Sequence, residues 1–171
     1  TPIRDGKLTR QQEIAYLKSE GIDMPWEKSQ YSVNKGLWGT SVGGVETLNS
    51  DKPLPSQAYP SQIQKEGEEK VTLTFKKGEF VALNGQENLP EINIEKLNDM
   101  ASGFAIGRDI HVGDTIVGTK GRVGFEAAAA LITIKAHHLL EKHTLTKWQL
   151  QHKEYLSSFY GMHLHEGQYL D

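Results

Sequence analysis

The chain has 171 residues, 37% hydrophobic and 24% charged, with a formal net charge of -3 at pH 7. This balance fits one soluble globular domain, alone or with an attached segment, and gives no bulk electrostatic case for nucleic acid or an anionic membrane. Cysteine is absent, which excludes disulfides and thiolate metal sites and suits a reducing cytoplasm, and no run of about 18 apolar residues exists to span a bilayer.

The chain opens Thr1-Pro2-Ile3-Arg4 rather than with Met and closes Gln168-Tyr169-Leu170-Asp171, so a piece of a longer protein is expected. Thr9-Arg10-Gln11-Gln12 has capping-box spacing, and Ile14 and Leu17 follow on one face. A helix over 9–20 is expected, stopped by Gly21. YSVNKGLWGTSVGG, residues 31–44, reads as a glycine-rich loop with Trp38 anchoring it to the body. Residues 49–68 carry Pro53, Pro55 and Pro60 and read as a surface loop.

KVTLTF (70–75) and EFVAL (79–83) alternate like strands around Lys76-Lys77-Gly78, which predicts a hairpin; Asn84-Gly85 is a second turn signal. Ile94, Leu97, Met100, Ala101 and Phe104 share a face of a helix over 93–104. Residues 109–119 mix β-branched residues with turn formers and predict one or two short strands or a bulged one. The strongest helix signal runs from Glu126 to His143, where Ala128, Ile132, Ala136 and Leu139 form a stripe that Leu131 and Ile134 widen; a central position is expected. Thr144 or Thr146 can cap a last helix bearing Trp148, His152, Tyr155 and Phe159 on one face. The order predicts an α+β fold, an antiparallel sheet (hairpin plus short strands) packed with several helices.

The motif that stands out is GTKGRVGFEAAAA, residues 118–130. Its glycines are three apart and its lysine comes early, so it is neither G-x-x-x-x-G-K-[ST] nor G-x-G-x-x-G. Two readings remain: a strand-to-helix turn with exposed charges, or Lys120 and Arg122 facing an anion at a helix N-terminus, where Glu126 would compete. His163-Leu164-His165 and His137-His138 lack i,i+4 spacing and an obvious third ligand, so no metal site is expected. G-x-S-x-G is absent, which removes a nucleophile elbow.

Taken together, the helix at 9–20, YS…LWGTS…GG, the KKG hairpin ending ALNG, and GRDIHVGDTIVGTKGRVGFEAAAA resemble, in order, the argininosuccinate synthases. The resemblance implies a ligase of arginine biosynthesis that joins citrulline to aspartate, using ATP with Mg2+ and releasing AMP and pyrophosphate. It implies a cytoplasmic homotetramer with no nucleic-acid or membrane partner. It implies that residues 1–30 are the tail of a nucleotide-binding domain. Residues 31–171 would be the synthetase and oligomerisation domain without its C-terminal arm. The family's S-G-G-L-D-T-S phosphate loop is not among these residues, so no catalytic residue is expected here and the piece alone should be inactive.

Residue by residue, the resemblance implies citrulline contacts at Ser32 and Ser41, whose hydroxyls can donate or accept. The family's acid and tyrosine fall on Gly113 and Phe125, so Asp114, or failing that Glu126, is expected to take over from the acid, with Phe125 keeping the ring. Lys120 and Arg122 match a K-x-R pair and are expected to order the loop or face a neighbouring subunit. The competing expectation is a non-catalytic assembly or ligand-binding domain, suggested by the apolar face of the last helix.

Overall fold

The computed structural model describes residues 2–26, 30–115 and 117–168. A short helix α1 (Pro2–Gly6) precedes α2 (Arg10–Ser19). Thr9 caps α2 as expected: Gln12 N–H donates to its hydroxyl at 3.4 Å, and its own N–H donates to Gln12 Oε1 at 2.8 Å. No residue of α2 is buried; Ile14 and Leu17, on its apolar face, are half-buried.

Two antiparallel sheets carry the fold. The first has strand order β1-β2-β7-β6, from β1 (Ser32–Gly36), β2 (Gly39–Gly43), β6 (Arg108–Asp114) and β7 (Lys120–Glu126). The second is β3-β4-β5, from β3 (Leu73–Lys76), β4 (Glu79–Leu83) and β5 (Gln86–Glu87). Between β3 and β4, Lys77 and Gly78 both take positive φ, 53° and 88°, as a two-residue hairpin turn requires. Asn84 and Gly85 (φ 52° and 79°) repeat that geometry into β5.

Three helices complete the chain: α3 (Pro90–Ser102), α4 (Ala128–Thr144) and α5 (Lys147–His165). α3 begins earlier than the apolar period suggested, because Pro90 takes the first helical position, where its missing N–H costs nothing. Phe80, Leu83, Ile94, Leu97 and Ala129 form one core between the second sheet, α3 and α4. Buried Asn93 is tied into it, its Nδ2 donating to Phe80 O at 3.0 Å. Val42, Leu54, Ala58 and Tyr59 form a second core under the first sheet.

The structure corrects four expectations. Residues 32–43 are a β-hairpin, not a loop, and Trp38 on its turn is 53% exposed rather than packed as an anchor. Residues 120–126 are not a turn but an inner strand with partners on both sides; pairing along both edges outweighs the glycines at 121 and 124. Glu126 therefore ends a strand and does not start the helix. Of the predicted stripe only Ala128 is buried, with Ala129 and Ala130 beside it, while Ile132 and Ala136 are half-buried and Leu139 is exposed together with Leu131 and Ile134, so α4 is covered on one face only.

Candidate functional site

The first sheet is closed on one face and open on the other. Paired residues in an antiparallel sheet point to the same side, and neighbours along a strand alternate. Val42 pairs with Gly124 and Gly124 with Ile110, so these three mark the closed face, where Val42 is fully buried. Leu54 packs so closely on Gly124 that a Cβ there would meet its Cδ1 and come within 3.1 Å of Val42 O, so a side chain at 124 would force Leu54 to shift.

The closed face is fastened by charge. Arg108 Nε donates to Glu126 Oε2 at 2.9 Å, its Nη2 donates to Ser61 O, and its guanidinium lies 4.7 Å from the centre of the Tyr59 ring. Arg122 spans the loop below, donating to Glu46 O at 3.2 Å and Lys52 O at 3.1 Å. Tyr31 donates to Glu46 Oε1 at 3.2 Å. Burial first, and then the hydrogen bond and negative charge of Glu46, push the Tyr31 phenol above its ordinary pKa. Burial likewise raises Tyr59, with Asp109 and Glu126 adding to it and Arg108 opposing.

On the open face, Asn34 pairs with Ser41, Ser41 with Phe125, and Phe125 with Asp109, a row across all four strands. The next row holds Ser32 opposite Gly43, and Val123 opposite His111. Gly36, Gly39, Gly43, Gly113 and Gly121 fall on the same side by alternation. The result is a shallow, polar floor with one ring in it. Its hydroxyls, amide, carboxylate and imidazole can donate to and accept from a small polar molecule.

Three expected site residues are thus brought together: Ser32, Ser41 and Phe125. Asp114 is not. It pairs with Lys120 at the tip of the β6–β7 hairpin and forms an ion pair with it, both side chains about two-thirds exposed. That tip lies five residues beyond the Asp109–Phe125 pair, roughly 17 Å, and alternation turns Asp114 to the other face. Glu126 is also turned away, its side chain 5% exposed in the pair with Arg108. Lys120 belongs to the tip, and Arg122 orders the 46–52 loop. Sequence reasoning passed over Asn34 and Asp109; reading 108–114 with a period of two would have put Asp109 on the side of Phe125.

A second concavity, about 540 Å³, opens between α4, α5 and the β3–β4 hairpin, lined by Trp38, Phe75, Phe80, Ile134, His137 and Lys153. His137 and Lys153 both reach the Glu141 carboxylate, each at 2.9 Å, and His138 reaches Glu154 at 3.1 Å. His163 packs against the Phe159 ring with centroids 4.3 Å apart. Among the described residues no group of three histidines, acids or cysteines is placed to hold a metal ion, and no helix is long and apolar enough to cross a membrane.

Residues 31–171 match the family model for the argininosuccinate synthase C-terminal domain. The chain is 38% identical over 173 aligned positions to the argininosuccinate synthase of Methanocaldococcus jannaschii, covering 99% of this chain and 44% of that one. It is 38% identical to that of Pyrococcus furiosus (97% and 41% covered) and 35% identical to that of Metallosphaera sedula (97% and 43%). The chain spans less than half the length of these curated relatives. With the ordered motifs, the α+β architecture and the family match in agreement, the chain belongs to the argininosuccinate synthase family.

Proposed function

We propose that this chain supplies the citrulline-binding wall and the assembly surface of an ATP-dependent ligase that makes argininosuccinate in the cytoplasm. The observation that carries the reading is the convergence of Ser32, Ser41 and Phe125 on one open sheet face. In the reaction, the citrulline ureido oxygen attacks the α-phosphorus of ATP and pyrophosphate leaves. The aspartate amine then attacks the ureido carbon and loses a proton, the new C–N bond forms, the C–O bond breaks, and AMP leaves carrying the former ureido oxygen. ATP supplies the leaving group. Its phosphates and Mg2+ are assigned to the nucleotide-binding domain, of which residues 1–30 are the tail. The work of the present residues is orientation: Ser32 and Ser41 hold the polar end of citrulline while Phe125 lies beneath its chain. Fixing reactants in this way lowers the entropic part of the barrier, and it needs both domains, so the piece alone is inactive.

Ser41→Ala in the full-length protein tests this. Loss of a hydrogen bond to a charged group predicts a rise of about tenfold or more in the citrulline KM, with the aspartate KM unmoved. An unchanged citrulline KM would remove the reading. A second reading, a domain serving assembly alone, is favoured by one observation: α5 buries none of its residues.

A further inference from the structure

Two ionisable groups on the open face are left without a task by Ser32 and Ser41. Asp109 stands across from Phe125, and His111 stands across from Val123, two residues further along the same strand. Both are exposed. Asp109 is the one carboxylate on this face among the described residues, and its Oδ1 accepts only from the adjoining Ile110 N–H, at 2.7 Å. The His111 imidazole lies along the strand over Gly113, where a Cβ would come within 2.5 Å of Nε2. That ring therefore occupies the space a side chain at 113 would need. No hydrogen bond joins the His111 imidazole to any other described residue.

An acceptor and a donor two residues apart on a strand sit roughly 7 Å apart at their Cα atoms. An α-amino acid carries its ammonium and its carboxylate on one carbon, so such a pair can grip both groups from either side. Asp109 offers the anion; the imidazole offers an N–H in its neutral and its protonated form alike. Gly113 and Gly121, paired across β6 and β7 beside His111, add no side chain to this end of the face.

We propose that Asp109 and His111 form a two-point clamp for the zwitterionic end of citrulline, Asp109 accepting from the α-ammonium and His111 donating to the α-carboxylate, with Gly113 required to leave room for the imidazole. The clamp rests on the open face being the citrulline wall. It gives the charge recognition expected of Asp114 to a residue on the correct face.

The test uses the full-length protein and two probes: citrulline, and N-carbamoylputrescine, the same molecule without its carboxylate, as a competitor. Asp109→Asn should weaken both about tenfold or more. His111→Ala should weaken citrulline by a similar factor and leave the decarboxylated probe unchanged, a discrimination that a merely structural residue would not produce. His111→Gln, which keeps an N–H donor, should recover part of the loss, and Gly113→Ala should imitate His111→Ala. If Ser41→Ala raises the citrulline KM while Asp109→Asn and His111→Ala stay within about twofold, the clamp is wrong and the wall stands. If the Ser32 and Ser41 variants also leave it unchanged, the wall and the clamp fall together. Equal rises for citrulline, aspartate and ATP would report a folding defect and count against the clamp.

Discussion

At the scale of single residues, charge has two different uses in this chain, and depth separates them. Glu126 and Arg108 are a nearly buried pair, with side chains 5% and 11% exposed, whereas Asp114 and Lys120 pair in solvent, where such contacts contribute about 0–1 kcal/mol. Removing one partner of the buried pair leaves an uncompensated charge at a cost of about 3–5 kcal/mol. Glu126→Ala should therefore lower the urea midpoint strongly, whereas Asp114→Ala should hardly move it. Replacing both partners, Arg108→Met with Glu126→Leu, should recover much of the loss, and a Glu126→Ala variant as stable as the parent would remove Glu126 from this structural role. Both acids had been candidates for substrate contact; identity and spacing in the sequence did not separate them, because the separating facts are burial and facing.

Among the elements, α4 and α5 differ most. α4 buries Ala128, Ala129, Ala130 and Thr133, and its alanines let α3 approach closely. α5 buries nothing and is tied to α4 by Lys153–Glu141 at 2.9 Å and His138–Glu154 at 3.1 Å. Its Thr146–Gln149 capping box starts it well, but intrinsic helix stability is modest without a packed face. Hydrogen exchange on this chain by itself should find the amides in the middle of α5 exchanging well before those of the first half of α4. Equal protection would mean that α5 is held by more than these pairs. The same contrast shows what periodicity reports. It identified α2, α4, α5 and the β3–β4 hairpin because each repeats an apolar spacing. It missed β1, β2 and β7, where five of seventeen positions are glycine and the repeat is blank.

At the scale of the whole molecule, two sheets with separate cores share one chain, and large apolar side chains remain outside both. Leu131, Ile134 and Leu139 of α4 and Trp148, Tyr155, Leu156 and Phe159 of α5 are each about half exposed or more, and a run of this kind on neighbouring helices marks a surface made to be covered. If copies of the chain cover it, Leu156→Asp in the full-length protein should shift sedimentation toward smaller species; an unchanged distribution would place the subunit contact elsewhere. The sequence alone determined the class of fold, the hairpin turns at Lys77-Gly78 and Asn84-Gly85, the helix cap at Thr9, and the family, because each is written in local spacing or in the order of motifs; it left the last cap between Thr144 and Thr146, and the structure places it at Thr146. It also named Ser32, Ser41 and Phe125. Only the tertiary structure decided that these three share a face with Asn34, Asp109 and His111, that Asp114 does not, and that Glu126 and Arg122 fasten the far side. Strand register joins residues far apart in the chain, as in Ser41 with Phe125, 84 positions away, and a shift of one residue would exchange the two faces.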